Sequence, residues 1–176
     1  LWMLRRLGIE PAGEAEHAHS EEELRLLFVT SQKRAGGTPL GRDIVLNALD
    51  LRCRIVREVM RPRQEMIGFN TEATIAECLD LAEKTRHSRF PLCEGGDLDK
   101  TLGVVHIKDL FATRLKTRCG ADLVSVMRKL IYVPETAQLE KLLKLFLERK
   151  LHMAVVVDEY GGTVGMITLE NILEEV

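Results

Sequence analysis

The chain has 176 residues, 45% hydrophobic and 30% charged, enough apolar material for a real core and unlike a disordered composition. Twenty-five Lys and Arg against 27 Asp and Glu leave a net charge of -2, so no basic field recommends nucleic acid as a partner. No apolar run approaches the length of a membrane span, the most continuous being "MAVVV", Met153 to Val157. Cys53, Cys78, Cys93 and Cys119 match neither a zinc knuckle nor a Cys-x-x-Cys motif and read as reduced, mostly buried thiols of a cytosolic domain.

The first segment, "LWMLRRLGIEPAGEAEHAHS", runs from an aromatic-apolar start into Arg5 and Arg6. That order fits the cytoplasmic exit of a membrane helix, and it fits one turn of an ordinary amphipathic helix equally well. Because the chain starts at a leucine and stops inside a helical pattern, it is expected to be part of something longer. His17 and His19 lie in this linker, residues 1–19, with no geometry enforced for a metal ion. Residues 20–56 read as a helical connector. "HSEEELRLLF" starts a helix on Ser20 with Glu23 completing a capping box, "RDIVLNALDL" is a second helix, and "RIVREVM" a short third.

Two aligned blocks follow, a first repeat over 57–119 and a second over 120–176. "MIGFNTEATIAECLDLAEKTRHSRFPL", from Met66, lies over "LIYVPETAQLEKLLKLFLERKLHMAVV", from Leu130, at a constant offset. Each reads as strand, turn, helix, strand. Ile75, Leu79 and Ala82, then Leu139, Leu143 and Phe146, recur at helical spacing, so each helix has one apolar face to lay on a sheet. Thr74 and Glu77 form a capping box before the first helix. The glycine pairs in "CEGGDLDKTLG" and "DEYGGTVG" suit hairpin turns that need positive φ, and a third strand then runs directly into a closing helix. One β-α-β-β-α unit is too small to bury both faces of its sheet, so the two should pack as a pseudo-two-fold α/β pair with N-terminal helices. Such a pair carries two equivalent clefts at its seam, each lined by a strand-to-helix junction whose backbone N–H groups favour phosphate.

The closing phrases "GVVHIKD" and "GMITLEN" follow one pattern, Gly and two apolar residues before a polar strand end, with Asp or Asn three residues further on. It resembles the end of a CBS domain. More narrowly, "VREVMRPR", "HSRFP", "LGVVHIKDL", "VPE" and "HMAVVVDEYGGTVGMITLENILEE" together are similar to the CorC/HlyC family, related to cyclin M-type magnesium transporters. The resemblance covers residues 17 to 176. It implies a regulatory CBS module that binds adenine nucleotide, ATP or AMP with Mg2+, and controls a linked magnesium or cobalt transporter. It also implies a homodimer, an upstream transmembrane domain and a place on the cytoplasmic side of the membrane.

By that resemblance the nucleotide site uses Thr168 and Asn171, with residues from the start of the first repeat, Arg61 and Ile67 among them. Asp109 suits a ribose, because one carboxylate accepts from both hydroxyls. Asn171 bonds a hydroxyl without charge assistance, and His106 stands where the second repeat has Thr168. The family pattern "VMTPR" is here "VMRPR", with Arg61 in place of Thr. These two departures leave open an alternative, a structural homodimerisation module with degenerate sites. Arg61, Arg89 and Arg128 are the candidates to meet phosphate. Asp109 and Asn171 are equally placed to cap the closing helices, and His106 and His152 read as structural histidines. No nucleophile and base are paired by spacing and no Walker-type loop is present, so an enzyme is not expected.

Overall fold

The computed structural model describes Glu23, Leu26 and residues 38–176. Glu23 and Leu26 are helical, while Ser20, His17 and His19 lie outside the described residues. Contacts divide the chain into two units, residues 1–49 and residues 50–176. The first contributes helix α1, Pro39–Asp50, where the second connector helix was expected.

The second unit contains both repeats. The expected third connector helix is reduced to one 3-10 turn at Val56–Glu58, because the adjoining backbone is drawn into pairing: Ile55 bridges Gln138, and Arg61–Pro62 forms a strand, β1. In the first repeat β2 (Phe69–Asn70), α2 (Ile75–Thr85), β3 (Arg89–Cys93), β4 (Thr101–His106) and α3 (Ile107–Thr113) follow in order. The second repeat matches it with β5 (Ile131–Pro134), α4 (Leu139–Arg149), β6 (Met153–Val157), β7 (Thr163–Thr168) and α5 (Leu169–Leu173). Each helix crosses between a parallel pair, β2 with β3 and β5 with β6, and each repeat then adds an antiparallel strand. This is the expected β-α-β-β-α order, twice.

Local chemistry accounts for the helix limits. Thr74 Oγ1 accepts from the Glu77 N–H while the Glu77 carboxylate accepts from Thr74, the expected capping box. At their other ends α2 and α4 stop on residues in the left-handed region, Arg86 at φ 56° and Lys150 at φ 54°. Glycine or asparagine is the usual occupant there, so a basic side chain at both is unusual. The hairpin glycines Gly95, Gly96 and Gly161 have positive φ, as their turns require.

The buried helix faces sit slightly off the expected stripe. Cys78 and Ala82 of α2 and Leu139, Leu142 and Phe146 of α4 are buried, with Ile75, Leu79 and Leu143 half-buried at the margins. Phe69 and Phe90 stack at 4.3 Å in the first core, and burial of each such ring is worth roughly 1.5–3 kcal/mol. A third apolar cluster unites the repeats: Met66 and Val104 from the first meet Met153, Val155 and Met166 from the second.

The repeats also exchange backbone. β1, at the start of the first repeat, is the edge strand of the second repeat's sheet, in the order β1-β7-β6-β5, with Arg61 opposite Met166 and Pro62 opposite Gly165. Reciprocally Arg128, near the start of the second repeat, bridges Val104 on β4 of the first repeat's sheet, β2-β3-β4. Both crossings pass over a glycine. A Cβ on Gly165 would lie 2.3 Å from the Arg61 carbonyl oxygen, and one on Gly103 would lie 2.7 Å from that of Arg128. The glycine of each closing phrase therefore serves close backbone approach.

Candidate functional site: two clefts at the seam

The exchanged arms place one cleft against each closing helix, built from equivalent positions. The first, about 160 Å³, takes Arg128 from the crossing arm, His106 from the end of β4, and Lys150, Leu151 and His152 from the end of α4. The second, about 250 Å³, takes Arg61 from its arm, Thr168 and Asn171 from the β7–α5 junction, and Arg86, His87 and Ser88 from the end of α2. Arg89 and Met153, at matching positions of β3 and β6, line both.

The junctions differ in how they satisfy their backbone. In the second cleft, Asn171 Oδ1 accepts from the Thr168 N–H at 3.0 Å and the Thr168 hydroxyl at 2.9 Å, while the Asn171 N–H donates to Thr168 Oγ1 at 3.2 Å. This closed capping box holds Asn171 nearly buried, 8% exposed. Its Nδ2 has no protein partner among the described residues and is the group left for a ligand. In the first cleft His106 is itself the cap: its Nδ1 accepts from the Lys108 N–H at 3.0 Å, so the neutral ring carries its proton on Nε2. Burial, then the charges of Arg89 and Arg128, hold this imidazole below the usual histidine range. Asp109 does not cap. Its carboxylate accepts from Arg128 Nη2 at 3.0 Å.

Two expectations change as a result. The junction N–H groups of Lys108 and Asn171 are already bonded by the caps, and α3 and α5 are short, so each closing helix has fewer N–H groups to offer phosphate than expected. Positive charge in the clefts comes from side chains instead. His152 is exposed on the first cleft, outside the core.

The proposed site residues thus fall into two groups. Arg61, Arg89, Thr168 and Asn171 meet at the second cleft, and His106 and Arg128, again with Arg89, at the first, where Asp109 reaches it only through its bond to Arg128. Ile67 is partly buried against the first repeat's core and lines neither. In the second cleft Arg89 Nη1 donates to Glu170 Oε1 at 3.1 Å, a bond between the repeats. Arg86 and Lys150 are functional candidates that the sequence reading passed over, as is the arm equivalence, although "VMR" is written at both Val59–Arg61 and Val126–Arg128.

A family model described as CBS domain matches residues 56–116 and again 121–176. The chain belongs to the CBS-domain family. As a CBS pair it is 39% identical over 173 residues to UPF0053 protein YhdT of Bacillus subtilis, a match that covers 96% of this chain and 37% of the relative. It is 36% identical over 133 residues to the magnesium and cobalt efflux protein CorC of Escherichia coli K12, covering 76% of this chain and 45% of CorC. The chain therefore spans less than half the length of these relatives. Among solved structures, the CBS domain of a bacterial CNNM/CorC family Mg2+ transporter superposes with a TM-score of 0.79 at 38% identity, covering 89% of this chain and 94% of that one. The same kind of domain in complex with ATP gives 0.70 at 38% identity, covering 78% and 96%. A CBS-domain pair with bound AMP from Klebsiella pneumoniae gives 0.59 at 28% identity, covering 69% and 96%. This CBS pair is thus of the CorC type. No helix among its described residues is long and apolar enough to cross a membrane.

Proposed function

We propose that this CBS pair is the regulatory module of a divalent-cation transporter and that it binds an adenine nucleotide, ATP or AMP, in its second cleft. The observation that carries the reading is the convergence there of phosphate-type and ribose-type groups. Arg61, Arg86 and Arg89 supply cations, and the Thr168–Asn171 box presents an amide to a ribose hydroxyl. Met153 and Met166 give an apolar wall against which a purine can lie. Similarity to CorC-type domains, one of them an ATP complex, supports the same reading. Among the described residues there is no cluster of three or more metal-ligating side chains, so Mg2+ would arrive on the phosphates. Regulation follows by linkage: nucleotide must prefer one arrangement of the pair, and only that preference can be transmitted to a membrane domain.

Isothermal titration of the chain with ATP and with AMP, each with and without Mg2+, tests this. One saturable site is expected. A flat trace for both nucleotides on folded protein would overturn the reading. It would favour instead a homodimerisation module, which the exposed Phe111 and Leu173 at matching positions of the two closing helices would suit.

A further inference from the structure

We propose that the first cleft is a separate site for a small phosphate-type oxyanion, inorganic phosphate or pyrophosphate, and that it does not accept a nucleoside. This does not rest on the nucleotide reading of the second cleft. The first cleft is lined by Arg89, Arg128, Lys129 and Lys150, with His106 and His152 between them. Two carboxylates face these cations: Glu170 pairs with Arg89 at 3.1 Å and Asp109 with Arg128 at 3.0 Å. Lys129 and Lys150 have no carboxylate partner among the described residues. The set is positive even before histidine is counted.

Most of the polar groups left to a ligand are donors, the exceptions being one ring nitrogen of His152 and the second oxygen of Asp109. With Nδ1 of His106 taken by Lys108, the ring offers Nε2–H. Lysine ammonium and arginine guanidinium groups donate only. Asp109 is the one carboxylate at the position where the second repeat has Asn171, and Arg128 already engages it. Donors outnumber acceptors here, which suits an oxyanion, itself made of acceptors, better than ribose hydroxyls that must also donate. The Arg128–Asp109 pair is no obstacle to an anion: Arg128 is 64% exposed and such surface pairs are weak, so the guanidinium can serve both. The cleft is also the smaller, about 160 Å³ against about 250 Å³.

The test is amide and imidazole NMR of the 15N-labelled chain in low-salt buffer, titrated separately with inorganic phosphate, pyrophosphate, chloride and ATP. Saturable shifts at His106, Lys108 and Leu151–His152 with phosphate or pyrophosphate, absent with chloride, are expected. In Lys129→Ala/Lys150→Ala the affinity should fall at least tenfold while ATP shifts around Thr168 are unchanged. Linear shifts that chloride reproduces, an adventitious ion only, would overturn the proposal. So would first-cleft shifts with ATP alone, which would assign these cations to a nucleotide's phosphate tail. Failure of ATP to shift Thr168 would count against the second-cleft reading only.

Discussion

The two clefts are the same construction with different residues, and the contrast shows how duplication separates architecture from chemistry. Each has a crossing arm over a glycine, a capped strand-to-helix junction, and a helix that ends on a left-handed basic residue. In the first, the carboxylate at the third position of the closing helix turns to the arm, Asp109 to Arg128. In the second, asparagine at that position turns back to its own cap, Asn171 to Thr168, and the arm's Arg61 is left to the cleft. The first cleft therefore neutralises its ribose-type acceptor, and the second keeps a nearly buried polar edge beside free cations.

The largest way to break this comparison is at the crossings. Gly165→Ala puts a Cβ 2.3 Å from the Arg61 carbonyl, and neither group is a flexible side-chain end. A loss of about 2–3 kcal/mol in urea unfolding is expected, by analogy with overpacked cores, together with loss of nucleotide binding. Gly103→Ala, at 2.7 Å against a single bridge, should cost less. Equal costs would contradict the unequal anchoring of the two arms.

Chemistry in the second cleft can be sharpened next. Asn171→Asp keeps an oxygen for the Thr168 cap and turns the amide edge into an acceptor. With Arg61 kept as a phosphate cation, it should tighten ATP by about tenfold, the equivalent of about 1.4 kcal/mol from a charge-assisted bond. Calorimetry that shows no gain would remove the amide of Asn171 as a limit on affinity. Asn171→Ala should instead lose the box and about 1 kcal/mol of stability.

Because Arg89 lines both clefts, Arg89→Gln should weaken ATP and phosphate together, each by several-fold. An effect on one ligand alone would show that the clefts do not share it. The smallest expected effect lies outside both. Asp99 accepts from Arg63 at 2.5 Å and from the Thr163 N–H at 2.8 Å, tying the first repeat's hairpin to the second repeat and to the segment after β1. The Arg63 bond, then the Thr163 N–H, hold its carboxyl at about 2, below the ordinary 3.8. A depressed folded-state pKa contributes stability that is complete above 3.8 and is lost as pH falls towards 2. Asp99→Asn should flatten the acid limb of a melting-temperature profile slightly, and an unchanged limb would assign it to other carboxylates.

Much of this was legible in the sequence because it rests on local rules. The helical periods, the Thr74–Glu77 box and the hairpin glycines are each set by residues within a few positions of one another, and the aligned blocks give the duplication. The arm exchange was not legible. β1 is two residues long and pairs with a strand about a hundred residues further on, so its pattern carries no period, and "RIVREVM" reads as helix until that pairing is seen. The clefts were half legible. Thr168 and Asn171 were placed by resemblance, but the bond between Asp109 and Arg128 joins residues of different repeats and is decided by geometry. Arg86 and Lys150 escaped because a basic residue at a helix end is ordinary, and only the backbone angle marks these two.

The account stands on nucleotide choosing the second cleft over the first. A 15N-resolved titration of the chain with Mg-ATP reads that choice directly. Saturable shifts centred on Ser88, Thr168 and Asn171, with His106 and Asp109 little moved, are the predicted result; shifts centred on His106, Asp109 and Arg128 would contradict it.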